Sequence, residues 1–164
     1  MSIAVRTARA DDVPSLVRLR QANAQAHIEF DPATYRMPDA EAVRRHFEHV
    51  VSTDGDVLIL VAEVDGEVAG MVEVVPVPDP PDHQIAVPRA SAEVHTVVLD
   101  GYRNRGVGRA LLEEAERVAA HRGAVVISAG ILTLNQGAVR FYTSAGFGAR
   151  GTWLRKEISA ARPS

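Results

Sequence analysis

The chain has 164 residues, a net charge of -3 and 46% hydrophobic residues, which suits one compact domain with its own core. It has no cysteine, which excludes disulfides, thiolate nucleophiles and cysteine-bound zinc, and the near-neutral charge balance argues against the broad basic face of a general nucleic-acid binder. No apolar run is long enough to cross a bilayer and the first residues lack a secretory pattern, so no membrane partner and a cytoplasmic location are the expectations.

Ile3 and Val5 alternate with polar residues as in a short strand. Asp11-Asp12 then offers a helix cap before Val13, Leu16 and Val17 at helical spacing. After the less regular "HIEFDPATYRMPD", Asp39 is placed to cap a second helix with Val43, Phe47 and Val50 on one face. In "VLILVAEVDGEVAGMVEVV" two apolar strands meet at Asp65-Gly66, a pair that readily takes the positive φ angles of a tight hairpin. The proline-rich stretch Pro76 to Ser91 reads as a long loop. A strand "AEVHTVVL" follows, then the glycine-containing "DGYRNRGVG", then a helix with Leu111, Ala115, Val118 and Ala119 as its buried stripe and Gly123 as its stop. "AVVISAGIL" reads as another strand. Asn135 opens a helix carrying Ala138, Phe141, Tyr142 and Ala145, and "GTWLRKEI" reads as a closing strand. The expected organisation is one domain over 1–158, with 159–164 as a loose tail.

The order strand, Arg103-Asn104-Arg105-Gly106-Val107-Gly108, helix gathers backbone N–H groups and the positive end of a helix dipole at one point. Glycines let an anion approach the backbone, and Arg103, Arg105 and Arg109 add charged donors, so a diphosphate suits this turn. Two nucleotide motifs fail on the letters. Val107-Gly108 stands where a P-loop needs Lys-Ser or Lys-Thr, and Leu111 stands where a dinucleotide fingerprint needs its third glycine. A glycine turn with solvated arginines is the plainer alternative.

The same stretch resembles the hallmark Gln/Arg-x-x-Gly-x-Gly/Ala of the GNAT superfamily of N-acetyltransferases. A second hallmark of that family, an Asn followed by Ala, Phe-Tyr and Gly-Phe, is similar to "NQGAVRFYTSAGF", Asn135 to Phe147. The order of the remaining elements agrees over nearly the whole chain. The resemblance implies an α/β (α+β) single-domain fold with a mixed, mostly antiparallel sheet flanked by helices. That sheet splays between the strand ending near Leu99 and the strand from Val125 to Ile131. Acetyl-CoA would lie in the split as co-substrate. Its diphosphate would rest on Arg103, Asn104, Arg105, Gly106, Val107, Gly108 and Arg109, its arm on the main chain of Val97, Val98 and Leu99, and Asn135 and Tyr142 would line the far wall. Asn104 replaces a small residue of the family pattern, and the proline often found after the strand is absent; neither change removes an amide.

Acetyl transfer to an amine asks for a neutral amine, an oxyanion donor and a proton for the leaving thiolate. An alkyl amine, with a pKa of about 10, must first lose its proton. Glu93 and His95 are the candidate bases. They share one strand face and Val94, Thr96 and Val98 the other, although a bulge would reverse which set meets the cleft. Each also reads as an ordinary strand residue, solvated for Glu93 and hydrogen-bonded for His95. The oxyanion falls to the backbone N–H of Val98. The family resemblance assigns Tyr142 as the acid, with core packing beside Phe141 as the alternative. His46 and His49 lack a zinc-binding spacing, and no metal is expected.

The acceptor pocket is expected from His27 to Met37, the strand around Glu93 and the Pro76 to Ser91 loop. It carries Glu29, Asp31, Asp79 and Asp82 but also Arg36 and Arg89. A small-molecule amine fits, with a peptide acceptor as the alternative and no nucleic-acid partner. A non-catalytic acyl-CoA-binding domain and a structural module of the same fold are the rival readings. A homodimer using the last strand is compatible with the family.

Overall fold

The structure is a computed structural model that describes residues 1–159. Four helices cover the two faces of a five-stranded sheet whose strands lie side by side in chain order. Strand β1 (Ile3–Thr7) pairs antiparallel with β2 (Leu58–Val64), β2 with β3 (Glu67–Val77), and β3 with β4 (Ser91–Val98). Strand β5 (Val126–Ser128) runs parallel to its neighbour, β4. Helices α1 (Val13–Phe30) and α2 (Ala40–Ser52) pack on one face; α3 (Val107–His121) and α4 (Gln136–Ser144) pack on the other.

Coverage of both faces explains the nearly continuous apolar run of β2. Ile59 and Val61 join Leu16, Leu19, Phe47 and Met71 under α1 and α2, whereas Leu60 and Ala62 join Val72, Val94, Leu111 and Ala115 under α3. The hairpin turn forms as its letters require, with φ of 51° at Asp65 and 87° at Gly66. Asp39 caps α2 by accepting from Ala42 N at 2.8 Å, and Asn135 caps α4 by accepting from Ala138 N at 3.1 Å.

Several expectations are corrected. Asp12 does not cap α1: its buried carboxylate accepts from Arg6 Nη1 at 2.7 Å, Arg6 Nη2 at 2.9 Å and Arg9 N at 2.7 Å. Arg6 also reaches Glu63, so a single guanidinium ties β1, β2 and the 3₁₀ turn at Ala10–Asp12 together. Helix α1 continues through Phe30, taking in the first part of the segment read as irregular. On α3, Leu112 is buried and Val118 only half-buried. Strand β3 runs on through Pro76 to Val77, opposite Ser91. Proline is tolerated there because β2 has already ended opposite Val74, so its missing N–H faces no partner strand.

Two strands are shorter than their sequence suggests. The apolar stretch 124–132 forms only the three paired residues of β5, opposite Ser91, Ala92 and Glu93. Residues 151–158, expected to close the sheet, form no regular element, because the segment has no ladder partner among the described residues. Of the expected tail at 159–164, residues 160–164 lie outside the described residues.

Candidate functional site

Strand β4 is paired on one side along its whole length and on the other for only three residues. Its register with β3 runs from Val77↔Ser91 to Gly70↔Val98 without a shift, so no bulge re-aims the side chains of β4 between these ends. Leu99 N donates to Ala69 O at 2.9 Å, which turns the amide of Leu99 toward β3. By alternation the amides of Val98 and Thr96 turn the other way, beyond the last residue that β5 pairs. Backbone donors thus face an opening in the sheet.

Alternation also sorts the side chains. Ala92, Val94 and Val98 pack on the face of α3 and α4; Val97 and Leu99 pack on the face of α1 and α2. Thr96 lies with the first set, and the buried Tyr142 of α4 donates its hydroxyl hydrogen bond to Thr96 Oγ1 at 3.0 Å. Edge-on contacts with Phe141 and Phe147 at 5.0 and 5.2 Å fix the phenol ring. Burial pushes the Tyr142 hydroxyl above its ordinary pKa, against the smaller opposing effect of the Thr96 hydrogen bond. The phenol therefore keeps its proton at neutral pH.

Glu93 and His95 lie on the opposite face of β4 from Thr96, with Glu93 Oε1 3.7 Å from His95 Nε2. His95 stands across from Glu73 of β3, whose largely buried carboxylate takes Arg20 Nη2 at 2.7 Å. Arg20 in turn lies over the Phe47 ring, 5.2 Å from its centroid. Sequence reasoning missed Glu73 and Arg20. The signal was present: Glu73 is a charged residue inside the apolar run "GMVEVV" of a central strand, where a buried carboxylate needs a cation.

At the end of β4 a 3₁₀ turn, Asp100–Tyr102, leads into the glycine turn. Asn104 (φ 60°) and Gly106 (φ 85°) take left-handed backbone, and Gly106 caps α3 in that conformation. Ala110 N donates to Gly106 O, so the amides of Val107, Gly108 and Arg109 precede the first bond within the helix. The two glycines do different work. A Cβ on Gly108 would come within 3.2 Å of Phe141 Cζ and 3.6 Å of Val98 Cγ2, so its absence lets α3, α4 and β4 meet closely. Val107 is fully buried in the core beneath.

The three arginines have distinct surroundings. Arg103 Nε contacts Val98 O at 3.4 Å and Asp100 at 3.2 Å, Arg109 pairs with Glu113 at 3.1 Å, and the Arg105 guanidinium lies 5.9 Å from the Tyr102 ring centroid. Asn135 spends its side-chain oxygen on the helix cap and sits at the start of the helix that carries Tyr142. Of the residues expected around the acceptor, Asp31 is engaged: Arg155 reaches it at 3.1 Å and reaches Thr34 Oγ1 at 2.8 Å. Its carboxyl is held below the ordinary range, first by Thr34 and then by Arg155. Glu93 is the acidic residue of that set that lies on β4; Asp79 and Asp82 lie on the loop between β3 and β4, without an ion pair among the described residues. His46 and His49 lie on α2, and among the described residues no group of three or more His, Asp or Glu could hold a metal ion. Nor is any described helix long and apolar enough to cross a membrane.

The fold has three layers, its sheet opens beside β4, and the unbonded amides of α3 lie at the end of that strand. The chain belongs to the Acetyltransferase (GNAT) family, whose profile matches residues 19–147. An uncharacterized N-acetyltransferase of Archaeoglobus fulgidus is 32% identical over 85% of this chain and 89% of its own. An uncharacterized N-acetyltransferase of Methanocaldococcus jannaschii, MJ1207, is 28% identical over 92% of this chain; the match spans 64% of that longer relative. Among solved structures, a mutant of the BH1408 protein from Bacillus halodurans shares the fold, with a TM-score of 0.81 at 20% identity over 95% of this chain and 99% of that one.

Proposed function

We propose that this protein is an acetyl-CoA-dependent N-acetyltransferase that acetylates a primary amine of a small molecule or, alternatively, of a peptide. One observation carries the reading furthest: the Tyr142 phenol, buried and kept protonated, lies on Thr96 at the stretch of β4 that β5 leaves unpaired. Acetyl-CoA supplies the thioester and, in its diphosphate, the anion.

The residues present suit that ligand. The amides from Asn104 to Gly108 and the dipole of α3 hold the diphosphate, with Arg105 and Arg109 beside it; the Arg103 N–H is taken by Asp100 O. Arg103 leaves Val98 O when the pantetheine amides pair along Thr96 and Val98; Val97 and Leu99, expected to share in this, have their main chain turned to β3, with Leu99 O taken by Tyr102 N. Asn135 and Tyr142 form the far wall. As the amine nitrogen bonds to the thioester carbonyl carbon, the carbonyl oxygen gains charge and accepts from the Val98 N–H. The amine proton passes to Glu93 or His95, directly or through water, from the face opposite Tyr142. The carbon–sulfur bond then breaks, and Tyr142 gives its proton to the departing thiolate. Glu93 places a carboxylate on this side of β4, where Glu73 is neutralised by Arg20, and so favours a cationic acceptor.

Calorimetric titration of acetyl-CoA into cofactor-free protein is the first test, with saturable one-site binding expected. A panel of amines, amino acids, polyamines, aminoglycosides and peptides, read by mass spectrometry for the gain of one acetyl group, then identifies the acceptor. No binding by folded protein overturns the reading of the glycine turn. Binding without transfer to any member of the panel favours a non-catalytic acyl-CoA-binding domain.

A further inference from the structure

We propose that Arg20 sets the specificity of the acceptor site: an open edge of its guanidinium takes a carboxylate of the acceptor, so that the substrates are small amino acids acetylated at their amine. This rests on the transferase reading above. The core between the sheet and α1 ends at one level on both of its sides. Along the sheet, the buried Met71–Val97 pair is followed on the same face by Glu73–His95, with Glu93 next on β4. Along α1, the buried Leu16 and Leu19 are followed at helical spacing by Arg20, Asn23 and His27, all half-buried and polar. Helix α1 packs on both β3 and β4, and the Arg20–Glu73 pair joins the two polar rows.

Arg20 is the member of this group with bonding capacity to spare. Three of the described arginines are half-buried, Arg6, Arg20 and Arg44. Arg6 takes Asp12 on its Nη1–Nη2 edge and Glu63 on its Nε–Nη2 edge, and Arg44 likewise bridges Glu41 and Glu48. Arg20 serves one carboxylate. Its Nη2 donates to Glu73 at 2.7 Å, its Nε and Nη1 meet no acceptor among the described residues, and 33% of its side chain remains exposed. Glu73 and the Phe47 ring fix the plane of the guanidinium. The second hydrogen of Nη2, together with Nε or Nη1, then forms the two-donor edge that a carboxylate matches. An amino acid meets a partner at each end of such a site. Its amine faces Glu93 and His95, the residues that take the proton, and its carboxylate faces Arg20.

The straight-chain amino acids from glycine to aminohexanoate, and the L-α-amino acids, are each compared with the corresponding primary amide, which keeps the amine and loses the anion. Calorimetry on CoA-saturated protein reads binding, and mass spectrometry reads transfer. The parent is expected to bind and acetylate at least one acid in preference to its amide. Arg20→Lys keeps a cation for Glu73 but loses the planar fork, and the acid-to-amide ratio is expected to fall about tenfold or more. Taking ratios cancels the difference in amine basicity within a pair. Arg20→Gln combined with Glu73→Gln removes both charges, leaves neither buried alone and is expected to lose the preference as well; circular dichroism checks the fold of each variant. An Arg20 that only supports the fold shifts acid and amide together, so a ratio unchanged in both variants overturns the proposal, as does a parent that binds no acid more tightly than its amide. The two readings fail separately. Transfer to amines without an Arg20-dependent preference removes the amino-acid assignment and keeps the transferase, whereas that preference in binding without any transfer keeps the carboxylate site and removes the transferase.

Discussion

Replacing Tyr142 by Phe removes one oxygen atom and leaves the ring against Phe141 and Phe147. The stability change is the net worth of one partly buried hydrogen bond to Thr96, about 0.5–1.5 kcal/mol, or roughly 2–4 °C of melting temperature per kcal/mol for a chain of this size. The expected loss in kcat is larger, about 10²-fold, equivalent to about 2.7 kcal/mol of barrier, because the thiolate leaves without its proton donor. Thr96→Val is the control. It leaves the buried phenol unpaired, which costs about 1–3 kcal/mol, but keeps the proton source in place. A purely structural Tyr142 therefore predicts that Thr96→Val harms the enzyme at least as much as Tyr142→Phe, whereas an acid predicts the reverse order in kcat. Thiol release can be followed with a chromogenic disulfide reagent, since the protein contributes no thiol of its own. With both substrates saturating, a Tyr142→Phe rate within about twofold of the parent, judged against the 10²-fold contribution expected of a general acid, would refute the assignment.

Gly106→Ala forces a Cβ onto a backbone at φ 85°; we expect a loss of about 1–2 kcal/mol in chemical denaturation and weaker acetyl-CoA binding by calorimetry. Glu93→Gln is expected to lower kcat by about 10²-fold with acetyl-CoA affinity unchanged, and an unaltered kcat would assign the amine proton elsewhere. Asp12→Ala strands one side of the Arg6 network and is expected to lower stability by about 2–4 kcal/mol at neutral pH. Arg6 holds the Asp12 carboxyl below its ordinary pKa, so its contribution is complete above about pH 4, the unfolded value, and is lost as pH falls through the folded value. The parent should therefore lose stability more steeply than Asp12→Ala below about pH 4 in urea titrations.

The sequence spoke clearly where one local rule decided the outcome. Asp65-Gly66, the Asn135 and Asp39 caps and the Gly106 turn each follow from the backbone angles or orphan amides of a few consecutive residues. It misled where the outcome depended on a distant partner. Asp12 has the letter of a cap, yet Arg6 and Arg9 claim its carboxylate; Glu73 reads as one charge among many until Arg20, 53 residues away, is brought onto it. The strand pattern of Gly151 to Ile158 is equally genuine as a propensity, but a strand exists only when another supplies its ladder.

That same accounting explains why the candidate site lies where it does. Strand β4 meets its backbone obligations toward β3 from Ser91 to Val98, yet toward β5 only as far as Glu93. At Thr96 and Val98 the neighbouring strand has departed, and Gly108 lets α4 close in with Tyr142 instead. A linear ligand with its own amides satisfies such an edge as a strand would, while its anionic end meets the unbonded amides of α3. The first demand arises from the divergence of β5 after three residues and the second from the start of α3 at Gly106. Changes that lengthen the β4–β5 ladder should therefore raise stability and lower acetyl-CoA affinity together, a correlation that an unrelated binding site would not produce.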